Sequence, residues 1–168
     1  MLIERARKYT EKDIEKLMRQ SEFRPTTYRS GRDGHSFTQH IGITNAELMQ
    51  RVQELYGNAQ GGYLEIVTAF CTNQEAFKAG MNVLNSSVGQ EGLKALNKAC
   101  HDQRLVITCQ INEEIRYRYV SGECVRIGFW PWFRMILDKN HIAPYGIHLQ
   151  TFFTYVNHEC REKFTLQK

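Results

Sequence analysis

Gly34-His35-Ser36-Phe37-Thr38-Gln39-His40-Ile41-Gly42-Ile43-Thr44-Asn45-Ala46-Glu47-Leu48-Met49-Gln50-Arg51 is the stretch on which the reading of this chain turns. It puts His40 on what reads as an extended arm, Gly42 turns the chain, and a helix follows with a clear start. Thr44 and Glu47 have capping-box spacing: the hydroxyl can accept from the backbone three residues on, and the carboxylate can reach back. The helix carries Leu48, Val52 and Leu55 at helical spacing, which predicts a buried stripe. Arg51 falls at the edge of that stripe. A guanidinium there, near a histidine held just before the helix N-terminus, is a candidate anion site. On pattern alone the same residues also fit an ordinary turn histidine and a surface arginine whose charge reaches water.

Working outward, the N-terminal side predicts a charged amphipathic helix within residues 1–20, with Thr10 and Asp13 at a cap and Ile14, Leu17 and Met18 as its stripe. Arg24 to Gly34 (RPTTYRSGRDG) reads as a basic, turn-rich loop, and Gly57 to Gly62 as another. On the C-terminal side, Leu64, Ile66, Ala69 and Phe70 approach a second helix opened by Thr72 and Glu75. Ser87 with Gln90 marks a third helix. From Leu105 onward the pattern changes to strands. Leu105-Val106-Ile107 reads as buried, and Ile115, Tyr117 and Tyr119 alternate with Arg116 and Arg118. Pro131, between Trp130 and Trp132, breaks the next β-prone run. Ile147 to Val156 is the last strand, and alternation puts Leu149, Thr151, Phe153 and Tyr155 on one face. Helices first and strands later predict an α+β fold, N-terminal helices packed on a curved antiparallel β-sheet.

The totals narrow the function classes. Lysine and arginine exceed aspartate and glutamate by 22 − 18 = 4, which suits an anionic partner without naming one. No window is long and apolar enough for a membrane span, so no stable membrane association of this domain is expected. The N-terminus lacks a signal-peptide core, so the expectation is that the chain either stays inside the cell or is carried out by a larger parent protein. The five cysteines (Cys71, Cys100, Cys109, Cys124, Cys160) are odd in number and scattered, with no zinc spacing; they read as reduced, buried thiols, and the sequence leaves one disulfide open as the alternative. No metal and no cofactor are expected.

The order of these pieces resembles the bacterial ribonuclease A-like toxin domains that end contact-dependent inhibition and other polymorphic toxins. The matching residues are His35-x-x-x-x-His40-Ile41-Gly42-x-Thr44, the helix through Leu48 ending near Arg51, Ala69-Phe70-x-Thr72 leading into Glu75-Ala76, Leu105-Val106-Ile107, and Leu149-x-Thr151-x-Phe153. The resemblance implies a ribonuclease A-like fold over residues 31–156, preceded by a helix and linker (1–30) and followed by a C-terminal tail (157–168). It implies metal-independent cleavage of RNA, with tRNA the expected substrate, after export as the C-terminal part of a larger effector into the cytoplasm of a target bacterium. Expected partners are a cognate immunity protein, with an acidic surface, and a target-cell activator.

Carried over by position, the resemblance gives His40, Arg51 and Thr151 catalytic roles. Phe153, Tyr155 and His35 would contact substrate. Phe153 stands where the resemblance implies a tyrosine; it can stack on a base but lacks a hydroxyl. A tail beyond Thr154 is a second departure. His35 lies an odd number of residues from His40, so on a regular strand it would face away, and the same parity sets His148 off the Thr151 face. His101, His141 and His158 fall in loops or the tail. Arg116, Arg118 and Arg126 could line an RNA path. The alternative from another class is a non-catalytic RNA-binding or interaction module on the same scaffold.

Overall fold

Side-chain caps set where the helices begin. The computed structural model describes residues 8–26, 28, 33–56, 67–99, 103–140, 144–155 and 161–168. Thr10 and Asp13 form a reciprocal capping box that opens α1 (Glu11–Ser21). Thr44 and Glu47 do the same for α2 (Asn45–Tyr56): Glu47 N donates to Thr44 Oγ1 at 3.2 Å, and Thr44 N to the Glu47 carboxylate at 2.7 Å. Thr72 caps α3 (Asn73–Asn85) through its hydroxyl alone, because the Glu75 carboxylate is taken by Arg116. Ser86, one residue earlier than expected, caps α4 (Ser87–Lys98) by accepting from Gly89 N.

The strands divide between two antiparallel sheets. The smaller joins β1 (Thr68–Phe70), β3 (Tyr117–Ser121) and β4 (Cys124–Gly128) in the order β1-β3-β4. The larger, ordered β6-β5-β2-β7, joins β2 (Arg104–Gln110), β5 (Trp132–Lys139), β6 (Ile147–Tyr155) and β7 (Lys163–Gln167). Part of the C-terminal segment is therefore a strand of the sheet, with Phe164 packed against the core. The Thr68 hydroxyl donates to the Thr154 carbonyl at 2.9 Å and ties β1 to β6.

The main core lies between α1, α3, α4 and one face of the larger sheet. Ile14, Leu17, Leu84 and Leu96 meet Leu105, Ile107, Phe133, Met135 and Phe152 there. Each such side chain stabilises the fold by about 1.5–3 kcal/mol relative to exposure. The predicted α1 stripe of Ile14, Leu17 and Met18 is wholly buried in this core. A second core joins Leu48 and Val52 of α2 to Ile43, Ala69 and Val120. Leu55, expected in the same stripe, is instead 60% exposed. Asp138, buried in the sheet, takes both Nε (2.7 Å) and Nη2 (2.9 Å) of Arg104 and the Thr26 hydroxyl (2.6 Å). Cys71, Cys109 and Cys124 are unpaired, and burial pushes the Cys109 thiol up to about 12. The loop expected over 57–62 and the pair Leu64 and Ile66 lie outside the described residues.

Candidate active site

The segment expected to be an extended arm is helical. Gly34 lets the chain enter it, since a Cβ there would collide with the Ser21 carbonyl and crowd that of Leu149. His35 N then donates to Gln150 O of β6 at 3.1 Å. The Glu22 carboxylate accepts from Phe37 N (3.2 Å) and Thr38 N (2.9 Å), satisfying donors that an extended arm would have given to a sheet. A π-helical turn, Phe37–Ile41, follows and closes with Gly42 N on Phe37 O at 2.8 Å.

This wide turn reverses the parity expectation for His35. In an α-helix, residues five apart would lie about 140° apart around the axis. The wider turn brings the His35 and His40 rings to 5.9 Å, tilted by 46°. His40 also stacks on Phe153 of β6, centroid to centroid 5.0 Å and 27° between planes. Its Nδ1 is buried and has no hydrogen-bond partner among the described residues. Burial pushes the imidazole down to about 3, with His35 and Arg51 acting in the same direction and the Thr68 backbone opposing. A ring in that state is neutral at pH 7 and, with no anion bound beside it, gains a proton only reluctantly.

Arg51 reaches the same turn from α2. Its Nη1 donates to Gln39 O, the carbonyl beside His40, at 2.5 Å. The Thr44–Glu47 box anchors the helix that carries it, and the Thr44 backbone and hydroxyl hold the Glu47 carboxyl below the ordinary range.

Thr151 is placed by a β-bulge. Ile136 pairs with Thr151 and Leu137 with Leu149, which leaves Gln150 as an extra residue in β6. The bulge turns Leu149 into the core beside Phe152, whereas Thr151 and Phe153 point to the sheet's outer face. The expected common face of Leu149, Thr151 and Phe153 is thus broken between the first two. The same shift moves His148 onto the Thr151 face, but its Nε2 is engaged by Arg24 O at 2.9 Å. Thr151 is 5% exposed, and its Oγ1 has no partner among the described residues; Ser36 Oγ and Gln150 Oε1 are in the same condition.

The fold therefore brings His35, His40 and Phe153 together, sets Arg51 beside them, and leaves Thr151 on the Phe153 face. The Tyr155 backbone pairs with Trp132, but its side chain lies outside the described residues, as do His101, His141 and His158. Two arginines expected along an RNA path serve the fold instead. Arg118 binds the carbonyls of Phe70 and Ile43 and the side chain of Asn45, and Arg116 pairs with Glu75. Arg126 remains exposed on β4. The sequence reading passed over Arg134, directly across from Phe153 in β5. Its signal was the alternation of Trp132, Arg134 and Ile136 with Phe133, Met135 and Leu137.

Among the described residues no group of three histidine, cysteine, aspartate or glutamate side chains could hold a metal, and no helix is long and apolar enough to cross a membrane. No family model matches the chain, and no curated protein matches it. Its fold is similar to that of a chain in the crystal structure of the CdiA-CT/CdiI complex from Y. kristensenii 33638. The two share 22% sequence identity and a TM-score of 0.52, over 73% of this chain and 100% of that one.

Proposed function

We propose that this chain is the toxin domain of a contact-dependent inhibition effector and cleaves RNA without a metal. The observation that carries the reading is His40: a neutral, partly enclosed imidazole with an aromatic ring against one face and a guanidinium alongside. Cleavage of a ribose phosphodiester needs a base for the 2′-hydroxyl proton, cations for the phosphorane and an acid for the departing 5′-oxygen. His40 acts as the base: it is neutral at pH 7, and the negative charge of a bound phosphate draws its proton affinity back up toward the working range. Arg51, with one of its five donors engaged by Gln39 among the described residues, stabilises the phosphorane charge. The Thr151 hydroxyl bonds a phosphate oxygen, which answers its lack of an internal partner. His35, whose ring lies 5.9 Å from that of His40, donates to the leaving oxygen. Phe153 supports the imidazole and stacks on a base; Tyr155 belongs to the same strand face. The products carry a 2′,3′-cyclic phosphate, and DNA, which lacks the nucleophile, is not cut.

The likeness to a chain of a CdiA-CT/CdiI complex supports the toxin role and an immunity protein as partner. The ribonuclease A-like fold, the tRNA substrate, an acidic immunity surface, a target-cell activator and action in the target cytoplasm complete the reading. The test is incubation of the purified chain with total tRNA in EDTA. Fragments with cyclic phosphate ends are expected, and His40→Ala should slow their appearance by about 10²-fold or more. Intact RNA with a retained gel shift, with and without extract of target cells, overturns the cleavage reading in favour of a binding module.

A further inference from the structure

The outer face of the larger sheet has a composition that core packing does not require. Strand register sets Phe153, Arg134, Thr108 and Lys163 in a single row across β6, β5, β2 and β7. One neighbouring row holds Thr151, Ile136, Val106 and Thr165; the other begins with Tyr155, Trp132 and Gln110. The apolar partners Phe152, Met135, Ile107 and Phe164 occupy the opposite, core face. No carboxylate stands in these three rows. In the next row along, Asp138 is engaged by Arg104 and Thr26.

We propose that this face is the binding track for single-stranded RNA, leading from His40 toward β7; the inference rests on RNA being the ligand of the His40 site. The row starts at the ring on which His40 stacks and crosses three strand intervals, about 14 Å in all. Along it stand a guanidinium, a hydroxyl and, at the far edge, the exposed Lys163 ammonium, a line of cations and donors suited to successive phosphates. The Trp132 indole, one row over and half-buried, offers a stacking surface to a base. Two further atoms point to a ligand. Thr108 and Thr151, 2% and 5% exposed, have hydroxyls with no partner among the described residues, and both lie on this face. Buried hydroxyls left unmet are costly, so paired instances on one face mark where phosphate or ribose oxygens would sit. β7 thereby adds a binding edge to the sheet, not merely a cover for its core.

The test uses the full chain and a 2′-O-methyl oligonucleotide of about ten nucleotides, which lacks the attacking hydroxyl and reports binding alone. Lys163→Glu should weaken binding about tenfold and lower the slope of log K against log salt by about 0.7–1. Thr108→Val should weaken it in the same direction, and Lys94→Glu, the same charge change on α4 across the core, should leave it unaltered. With cleavable RNA, the loss caused by Lys163→Glu should be about tenfold greater on the long oligonucleotide than on a dinucleotide. Equal losses on the two lengths, or unaltered binding in Lys163→Glu and Thr108→Val, overturn the track. Weakened binding in both variants of a chain that cuts no RNA upholds the track and defeats the cleavage reading instead.

Discussion

At the residue scale, His40 links the site to the stability of the fold. Its folded pKa, near 3, lies below the unfolded value of about 6.5, so between those limits the unfolded chain binds the extra proton. Stability is therefore complete above about pH 6.5 and falls as the pH drops, by at most ~1.4 kcal/mol per unit from this group. Substitution His40→Phe should flatten that acid limb in denaturant titrations between pH 4 and about 6.5, whether or not the variant still meets RNA. The equality of wild-type and variant slopes would show the ring to be solvated in the fold. His40, Arg51 and Thr151 were legible as candidates from their residue types and from the resemblance. Arg134 and the buried Ser36 hydroxyl were not, because strand alternation gives Arg134 a face without saying which strand lies beside it, and Ser36 has no motif around it.

At the element scale, the informative devices are the π-helical turn, the bulge and the close crossing of α1 and α3. The caps at Thr10, Thr44 and Thr72 could be read directly, since a side chain and a backbone group three residues apart need no tertiary help. The bulge at Gln150 could not. Phe152 beside Phe153 interrupts the alternation without saying where the register slips, and only pairing with β5 shows that Gln150 is the extra residue. The crossing depends on Gly80, where a Cβ would stand 2.7 Å from Ile14 Cγ2 and 3.4 Å from Phe152. In Gly80→Ala the helix gains about 0.5–1 kcal/mol of intrinsic preference, but forcing a methyl into a filled core costs about 1–3 kcal/mol. The second effect is larger. Urea unfolding should show a net loss of about 1 kcal/mol, and a gain would mean that α1 moves aside without penalty.

At the scale of the whole molecule, the site exists because two sheets meet. β1 carries the backbone that touches His40, β6 carries Phe153 and Thr151, and the Thr68–Thr154 contact holds the strands together. β7 closes the far side of the larger sheet. Removing residues 162–168 would leave β2 as an edge and uncover Leu105, which Phe164 and α4 help to enclose. Exposed apolar edges pair with other chains. The shortened protein should melt several degrees lower and self-associate by size-exclusion chromatography; a monomer with unchanged melting would make β7 an appendage. What the sequence by itself determined is the α+β order, the helix starts and the residue types at the site, because caps and hydrophobic periods act within a few neighbours. Tertiary structure alone decided that residues 35–41 coil instead of extending, that a bulge re-aims Thr151, and that β7 completes the sheet. Each of these depends on a partner far along the chain: the Glu22 carboxylate for the coil, β5 for the bulge, β2 for the last strand.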